Sequence, residues 1–256
     1  LVSSKLDQDY TELAVKKFPD NELQVRINAA VRNRLVVLVQ SFHGEISDCL
    51  IEIILAAKTA SDLGARKIVL VAPYFPYMRQ DKRFRSGEAI SQQIIADLIG
   101  KYFDSVFIMD PHLHRKKSLT QVFKSNPVRL SANPLIVEYI HQRISSPILI
   151  GPDEESYKWA KKVGDMLGVE SRILRKKRFS SYHVEVKLNK KIELKGRNAV
   201  IVDDIVSTGH TILETAKIIE KLGAKNIYCI CVHGIFVGEA LKKLKKAGIN
   251  VASTNT

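Results

Sequence analysis

Several kinds of protein are excluded by what this 256-residue sequence lacks. No apolar run approaches the ~20 residues that a membrane-spanning helix needs. The amino end shows no charged-then-apolar leader. It begins at Leu1 instead of Met, so a few upstream residues are expected to be absent. Cysteine is scarce: Cys49, Cys229 and Cys231 are an odd number without metal-ligand spacing. That excludes a disulfide framework and a zinc module, and points to buried thiols in a reducing, cytoplasmic setting. Cys229 and Cys231 stand two apart in an apolar run, so on a strand they share a face. No aromatic-interleaved RNA-binding signature is present. Acidic residues are too few to balance the basic ones, 27 against 40, leaving a net charge of +13. The excess cations gather at Arg79–Arg85, Arg115–Lys117, Arg172–Arg178 and Lys242–Lys246 instead of one tail. Scattered clusters of this kind favour polyphosphate substrates over nucleic acid. Apolar residues make up 45% of the chain and are spread along it, which supplies a core and argues against disorder.

The apolar segments are short and alternate with helical patterns. Leu23, Val25 and Ile27 alternate as in a half-buried strand after the turn Phe18–Glu22. Leu35–Val39 is expected as a buried strand, followed by a helix marked by Ile46, Leu50, Ile53, Ile54 and Ala57. Gly64 suits a left-handed helix cap. Ile68–Ala72 is the next strand, Pro73–Gly87 a long basic loop, Ile90–Ile99 a helix and Ser105–Met109 a strand. An internal repeat relates residues 35–75 to 199–236. Both read strand, loop, helix, strand, aromatic, with Leu63-Gly64-Ala65-Arg66 matching Leu222-Gly223-Ala224-Lys225 and Phe75 matching Phe236. The repeat implies two similar domains. The weak boundary is Asn126–Pro134, with two prolines and no periodicity. Strand–helix alternation predicts α/β architecture with right-handed parallel crossovers and ligands at the carboxyl ends of the strands.

One such strand end carries a recognisable chemistry. Ala199–Val202 is a short β-branched run, Asp203 and Asp204 end it, and Ser207-Thr208-Gly209-His210-Thr211 form a hydroxyl-rich turn. A helix marked by Ile212, Ala216, Ile219 and Leu222 follows, with Thr211 and Glu214 spaced as a capping box. Free amide N–H groups at a helix start, joined by Ser and Thr hydroxyls, suit a phosphate monoester. Two carboxylates beside it suit a sugar's hydroxyls and can share a metal with them.

PYFPYMRQDKR at Pro73–Arg83 is highly specific. With Phe18–Glu22, Asp110-Pro111-His112, Pro152-Asp153, Lys176-Lys177-Arg178 and Val202–Thr211, it makes the chain resemble the ribose-phosphate pyrophosphokinase (phosphoribosyl pyrophosphate synthetase) family. The motifs fall in that family's order over nearly the whole chain. The resemblance implies two type I phosphoribosyltransferase-like domains: residues 1–131 binding ATP and residues 132–256 binding ribose 5-phosphate. It implies diphosphoryl transfer from Mg-ATP to the sugar's C1 hydroxyl. On this resemblance Arg79, Gln80 and Asp81 belong to the ATP loop. Phe18, Asp20 and Glu22 reach the adenine of a neighbouring subunit, which implies a homo-oligomer of at least two chains. His112 and Asp153 attend Mg2+ and the phosphates. Lys176 and Arg178 lie in a mobile catalytic loop, Arg172–Tyr182, and close over the β-phosphate, with His112 as a further catalytic group. Asp203, Asp204, Ser207, Thr208, Gly209, His210 and Thr211 hold ribose 5-phosphate. Nucleic acid and membrane partners are not expected.

Departures from the family pattern are local. Glu154, Glu155 and Ser156 follow Asp153 where small glycines are usual, and Ser207 and His210 replace the usual Asp and Gly. Trp159 is read as core. The family continues beyond the strand ending at Ser253–Thr256, so a shortened or partial chain is expected. Two other readings remain at this level. A phosphoribosyltransferase would share the last turn but lack the ATP loop and the doubled domain. A non-catalytic synthetase-like subunit would keep the fold while losing charged site residues, yet Lys176, Arg178, His112, Asp203 and Asp204 are all present.

Overall fold

The computed structural model describes residues 5, 10–113, 115–178, 184–188 and 194–256, with 175–178 and 184–188 described by backbone alone. The chain divides into two compact units, Leu1–Leu130 and Ser131–Thr256.

The first unit opens with an antiparallel hairpin, β1 (Ala14–Lys17) and β2 (Leu23–Arg26). A parallel sheet follows in the order β3 (Leu35–Val39), β4 (Lys67–Ala72), β5 (Ser105–Met109), β6 (Asn126–Leu130). Helices α1 (Ile46–Asp62) and α2 (Ser91–Ile99) connect its strands. Leu50, Ile53, Ala57, Ala96 and Ile99 pack with Ile68, Leu70, Val106 and Ile108 to form the core. The aromatic series Phe42, Phe75 and Phe123 extends this core in edge-to-face contacts, with centroids 5.6 and 5.3 Å apart. Two expectations change here. Leu35–Val39 is not buried on both faces: it is an edge strand on which Leu35, Val37 and Val39 are about half exposed. Hydropathy identifies a strand but not its place at the edge. The proline-bearing boundary stretch contains an element, since Asn126–Leu130 pairs with β5. Pro127 is tolerated because β6 is an edge strand of this sheet.

The second unit begins with α3 (Asn133–Arg143), whose Pro134 occupies the first turn, where no amide partner is lost. Strand β7 (Pro147–Gly151), α4 (Glu154–Leu167), β8 (Ser171–Arg178) and β9 (Val184–Leu188) follow. Then come β10 (Asn198–Val206), α5 (His210–Lys221), β11 (Asn226–Gly234), α6 (Ala240–Lys246) and β12 (Ile249–Ser253). The sheet order is β12-β11-β10-β7-β8-β9, parallel except for β9. Successive strands run outward from β7 in one direction and from β10 in the other. The order therefore reverses between β7 and β10, and in open α/β sheets ligands bind at the carboxyl ends of the strands at such a point. Part of the expected loop Arg172–Tyr182 is a strand: Lys176 pairs with Val186 and Arg178 with Val184. This antiparallel pairing satisfies backbone groups that a basic loop would leave to water, and Val184, Val186 and Leu188 supply the alternation. The side chains of Lys176 and Arg178 and all of residues 179–183 lie outside the described residues.

The repeat recurs down to single hydrogen bonds. Gly64, with φ +86°, donates to Ser61 O at 2.9 Å while Ala65 donates to Ala60 O at 2.9 Å. Gly223, with φ +80°, donates to Glu220 O at 2.9 Å while Ala224 donates to Ile219 O at 3.4 Å. Each is a Schellman cap, which needs a left-handed residue where only glycine is unstrained. The next residue then joins the following strand: Arg66 donates to Arg34 O and Lys225 to Arg197 O, both at 2.8 Å.

Candidate active site

Strand ends of the first unit hold bulky residues in the left-handed region: Phe42 at φ 51°, Tyr77 at 61° and Asp110 at 35°. They follow β3, β4 and β5 respectively. Such conformations cost about 1–3 kcal/mol each and collect at functional sites. Phe42 and Asp110 are buried, and the Tyr77 hydroxyl lies 3.1 Å from Ser47 Oγ. Asp110 donates its N–H to Leu130 O and lies 3.8 Å from Arg129 Nη2. His112, two residues on, is half-buried.

The basic loop is internally organised. Asp81, its side chain 1% exposed, is paired with Arg115 at 2.5 Å. Gln80 accepts from Ser91 Oγ at 3.1 Å through its side chain and from Gln92 N–H at 3.2 Å through its carbonyl. Glu88 Oε2 accepts from the N–H groups of Phe84 and Arg85 at 3.0 and 3.1 Å. Gln92, 2% exposed, donates to Met78 O. Gln80 and Asp81 thus shape the loop, while Arg79 is exposed at its edge. Lys82 and Arg115 flank the exposed Phe84 ring, 5.2 and 5.8 Å from its centroid. Glu88 was not anticipated from sequence, where it is one acid after a basic run. Phe18, Asp20 and Glu22 form an exposed hairpin tip in which Phe18 N–H donates to Glu22 O and Asp20 caps Glu22 N–H. The groove lined by Tyr10, Ile27 and the open side of β3 contains none of the anticipated site residues.

The acid pair occupies the carboxyl end of β10, at the point where strand order reverses. Asp203 Oδ1 accepts from Ser156 Oγ at 2.9 Å and from Asp204 N–H at 3.0 Å. Asp204 is 8% exposed and accepts from Ile205 N–H at 2.8 Å. Burial, reinforced by the Asp204 charge, pushes the Asp203 carboxyl up to about 8, against the pull of the Ser156 hydroxyl. The turn beyond is held by β11: Ile235 and Phe236 donate to Val206 O, and Val237 donates to Ser207 O. Gly209, at φ +71°, precedes α5, and a Cβ there would press on Leu244 Cδ1 at 3.3 Å. The expected capping box is not formed. The helix starts at His210, its N-cap is Gly209, and no side chain caps it. A left-handed glycine carries no side-chain acceptor, and Glu214 pairs with Lys217 instead. An uncapped helix start flanked by Ser207, Thr208 and Thr211 suits an anion. Thr208, His210 and Thr211 are exposed, and Ser207 is half-exposed.

Asp153 caps α4, its Oδ1 accepting from Glu155 and Ser156 N–H at 3.0 and 2.9 Å. Gly151 lets α4 approach β7: a Cβ there would fall 2.3 Å from Tyr157 Cα. Ser156 is therefore a site residue that sequence reasoning passed over, although Asp153 before two glutamates and a helical pattern is a legible N-cap signal. Among the described residues no three His, Cys, Asp or Glu side chains form a metal-binding group. Mg2+ needs no such cage, because it keeps waters and binds through one or two carboxylates plus substrate phosphates. Asp153 fits that sparse donor set. Burial raises both thiols of the Cys229–Cys231 pair, Cys231 to about 12, so neither is a nucleophile at neutral pH. Among the described residues no helix is long and apolar enough to cross a membrane.

These features define a tandem α/β protein of the phosphoribosyl-binding kind. Residues 1–102 match the N-terminal domain of ribose phosphate pyrophosphokinase, and residues 118–252 match the phosphoribosyl transferase domain. The ribose-phosphate pyrophosphokinase of Methanothermobacter thermautotrophicus is 37% identical over 100% of this chain and 88% of its own length. That of Pyrococcus furiosus is 35% identical over 96% of this chain and 86% of its own length. The crystal structure of phosphoribosylpyrophosphate synthetase from Mycobacterium smegmatis shares the fold, with a TM-score of 0.87 at 23% identity, over 98% of this chain and 89% of that one. The chain belongs to the ribose-phosphate pyrophosphokinase family and is an enzyme of that class.

Proposed function

We propose that this enzyme transfers the β,γ-diphosphoryl group of ATP to the C1 hydroxyl of ribose 5-phosphate, giving phosphoribosyl pyrophosphate and AMP. The observation that carries the reading is the acid pair Asp203–Asp204 beside an uncapped helix start, at the strand-order reversal of the second unit. Ser207, Thr208, Gly209, His210 and Thr211 receive the 5-phosphate, and Asp203 and Asp204 accept from the ribose hydroxyls. Arg79 holds ATP, with Gln80 and Asp81 shaping the loop that presents it. Phe18, Asp20 and Glu22 serve the adenine of a neighbouring chain in a homo-oligomer, which accounts for an aromatic exposed at a hairpin tip. Asp153 and His112 attend Mg2+, which when bound neutralises the triphosphate. The C1 oxygen forms a bond to the β-phosphorus as the bond from that phosphorus to the α-phosphate oxygen breaks, and the hydroxyl proton passes to solvent. Negative charge grows on the departing AMP. Lys176 and Arg178 stabilise that charge, a contribution that in phosphoryl transfer reaches about 10³ in rate. The setting is a soluble, cytoplasmic one.

Two variants test the assignment. Lys176→Ala is expected to keep the fold by circular dichroism and lose most turnover, and undiminished turnover removes the catalytic role. Asp203→Asn with Asp204→Asn is expected to abolish the calorimetric heat of ribose 5-phosphate binding. Binding equal to the parent's refutes the sugar site.

A further inference from the structure

We infer that Ser156 is a positioning residue for the sugar site, its hydroxyl setting the direction in which the Asp203 carboxylate meets a ribose hydroxyl. This rests on the reading of Asp203 as a ribose acceptor. Ser156 is 5% exposed and its Oγ lies 2.9 Å from Asp203 Oδ1. With Asp203 in the ionised form, the one that only accepts from a sugar hydroxyl, the serine hydroxyl must be the donor. The serine itself is held from behind, because its N–H donates to Asp153 Oδ1 at 2.9 Å as part of the α4 cap. The cap, the serine and the acid thus form one chain of hydrogen bonds linking the ends of β7 and β10. The close approach that Gly151 permits between β7 and Tyr157 sets the depth of this first turn.

Both donors to Asp203, the Ser156 hydroxyl and the Asp204 N–H, fall on Oδ1. Two bonds to one oxygen fix the carboxyl plane and with it the direction in which Oδ2 points. Without the hydroxyl, Asp203 keeps its contacts with Asp204 but loses the bond that ties it to α4, and it turns about χ1 and χ2. The helix does not need the hydroxyl, since the cap is made by the Ser156 N–H and alanine favours helix over serine. Loss of the hydroxyl therefore falls on sugar binding more than on folding.

The test compares the full chain with Ser156→Ala and Ser156→Thr by steady-state kinetics and thermal melting. Ser156→Ala is expected to raise KM for ribose 5-phosphate about tenfold, the order of one lost hydrogen bond to a charged group. KM for ATP and the melting temperature are expected to stay at the parental values, and Ser156→Thr is expected to restore the sugar KM. A parental sugar KM in Ser156→Ala overturns the inference. So does an equal rise in both KM values with a lowered melting temperature, which assigns the serine a structural role, and so does a folded Ser156→Thr that fails to rescue. Should the parent enzyme itself show no saturation by ribose 5-phosphate, it is the sugar-site reading that fails.

Discussion

Replacing Asp203 by asparagine should change how the stability of this protein depends on pH, and the sign of the change follows from the site. Burial first, and the Asp204 charge second, raise the Asp203 carboxyl from 3.8 to about 8. In the window between those values the folded protein holds a proton that the unfolded chain has released. Stability then falls as pH rises, by about 1.4 kcal/mol per pH unit for one proton. The contribution is fully present below 3.8 and is lost as pH climbs through about 8. Asparagine keeps an oxygen for the Ser156 hydroxyl and the Asp204 N–H but cannot titrate. Relative to the parent, Asp203→Asn should therefore gain about 3 kcal/mol between pH 5 and pH 7, and the gap should stop widening above about pH 8. Urea denaturation of the ligand-free protein in a chelator reads this directly. The chain has one tryptophan, Trp159, in the helix that carries Ser156, so its fluorescence reports on the second unit. Parent and variant curves that run parallel from pH 5 to pH 9 would refute the reasoning, because the acid would then be no more buried than an ordinary surface aspartate.

Other parts of the account can be checked in the same way. Glu88→Ala removes the acceptor for two loop N–H groups, and KM for ATP should rise about tenfold while the ribose 5-phosphate KM holds; steady-state kinetics showing both unchanged would free the loop from Glu88. Gly151→Ala puts a Cβ 2.3 Å from Tyr157 Cα and should cost about 1–3 kcal/mol in denaturation, with a parental midpoint counting against the close approach. Gly223→Ala meets nothing closer than Lys195 at 3.8 Å, so its cost should be conformational alone, about 1 kcal/mol; a neutral result would mean the Schellman cap is dispensable.

The parts of the fold that were legible in the sequence are those that short patterns determine. The two LGA[R/K] stretches announced matched helix ends because a Schellman cap demands glycine at one position whatever surrounds it. The Asp203–Asp204 pair and the hydroxyl-rich turn after it were legible because such residues are out of place in an apolar strand, although the strand does not end at the acids but runs on to Val206. Properties set by distant neighbours were not legible. Leu35–Val39 has the composition of a central strand and occupies an edge. The basic stretch at Arg172 reads as a solvated loop because its pairing partner, Val184–Leu188, lies farther along the chain. The capping-box spacing of Thr211 and Glu214 puts the start of α5 two residues late, since Gly209 holds the N-cap by backbone conformation. Beside a family pattern of glycines, Asp153 and Ser156 do not stand out as a helix cap, and the contact of Ser156 with Asp203, 47 residues away in sequence, leaves no local signal.

Incubating the enzyme with Mg2+, ribose 5-phosphate and ATP carrying label on the β-phosphorus tests the central claim most directly. The account predicts AMP and phosphoribosyl pyrophosphate in equal amounts, with the β-label in the sugar product. ADP formation, or label remaining wholly in nucleotide, would contradict it.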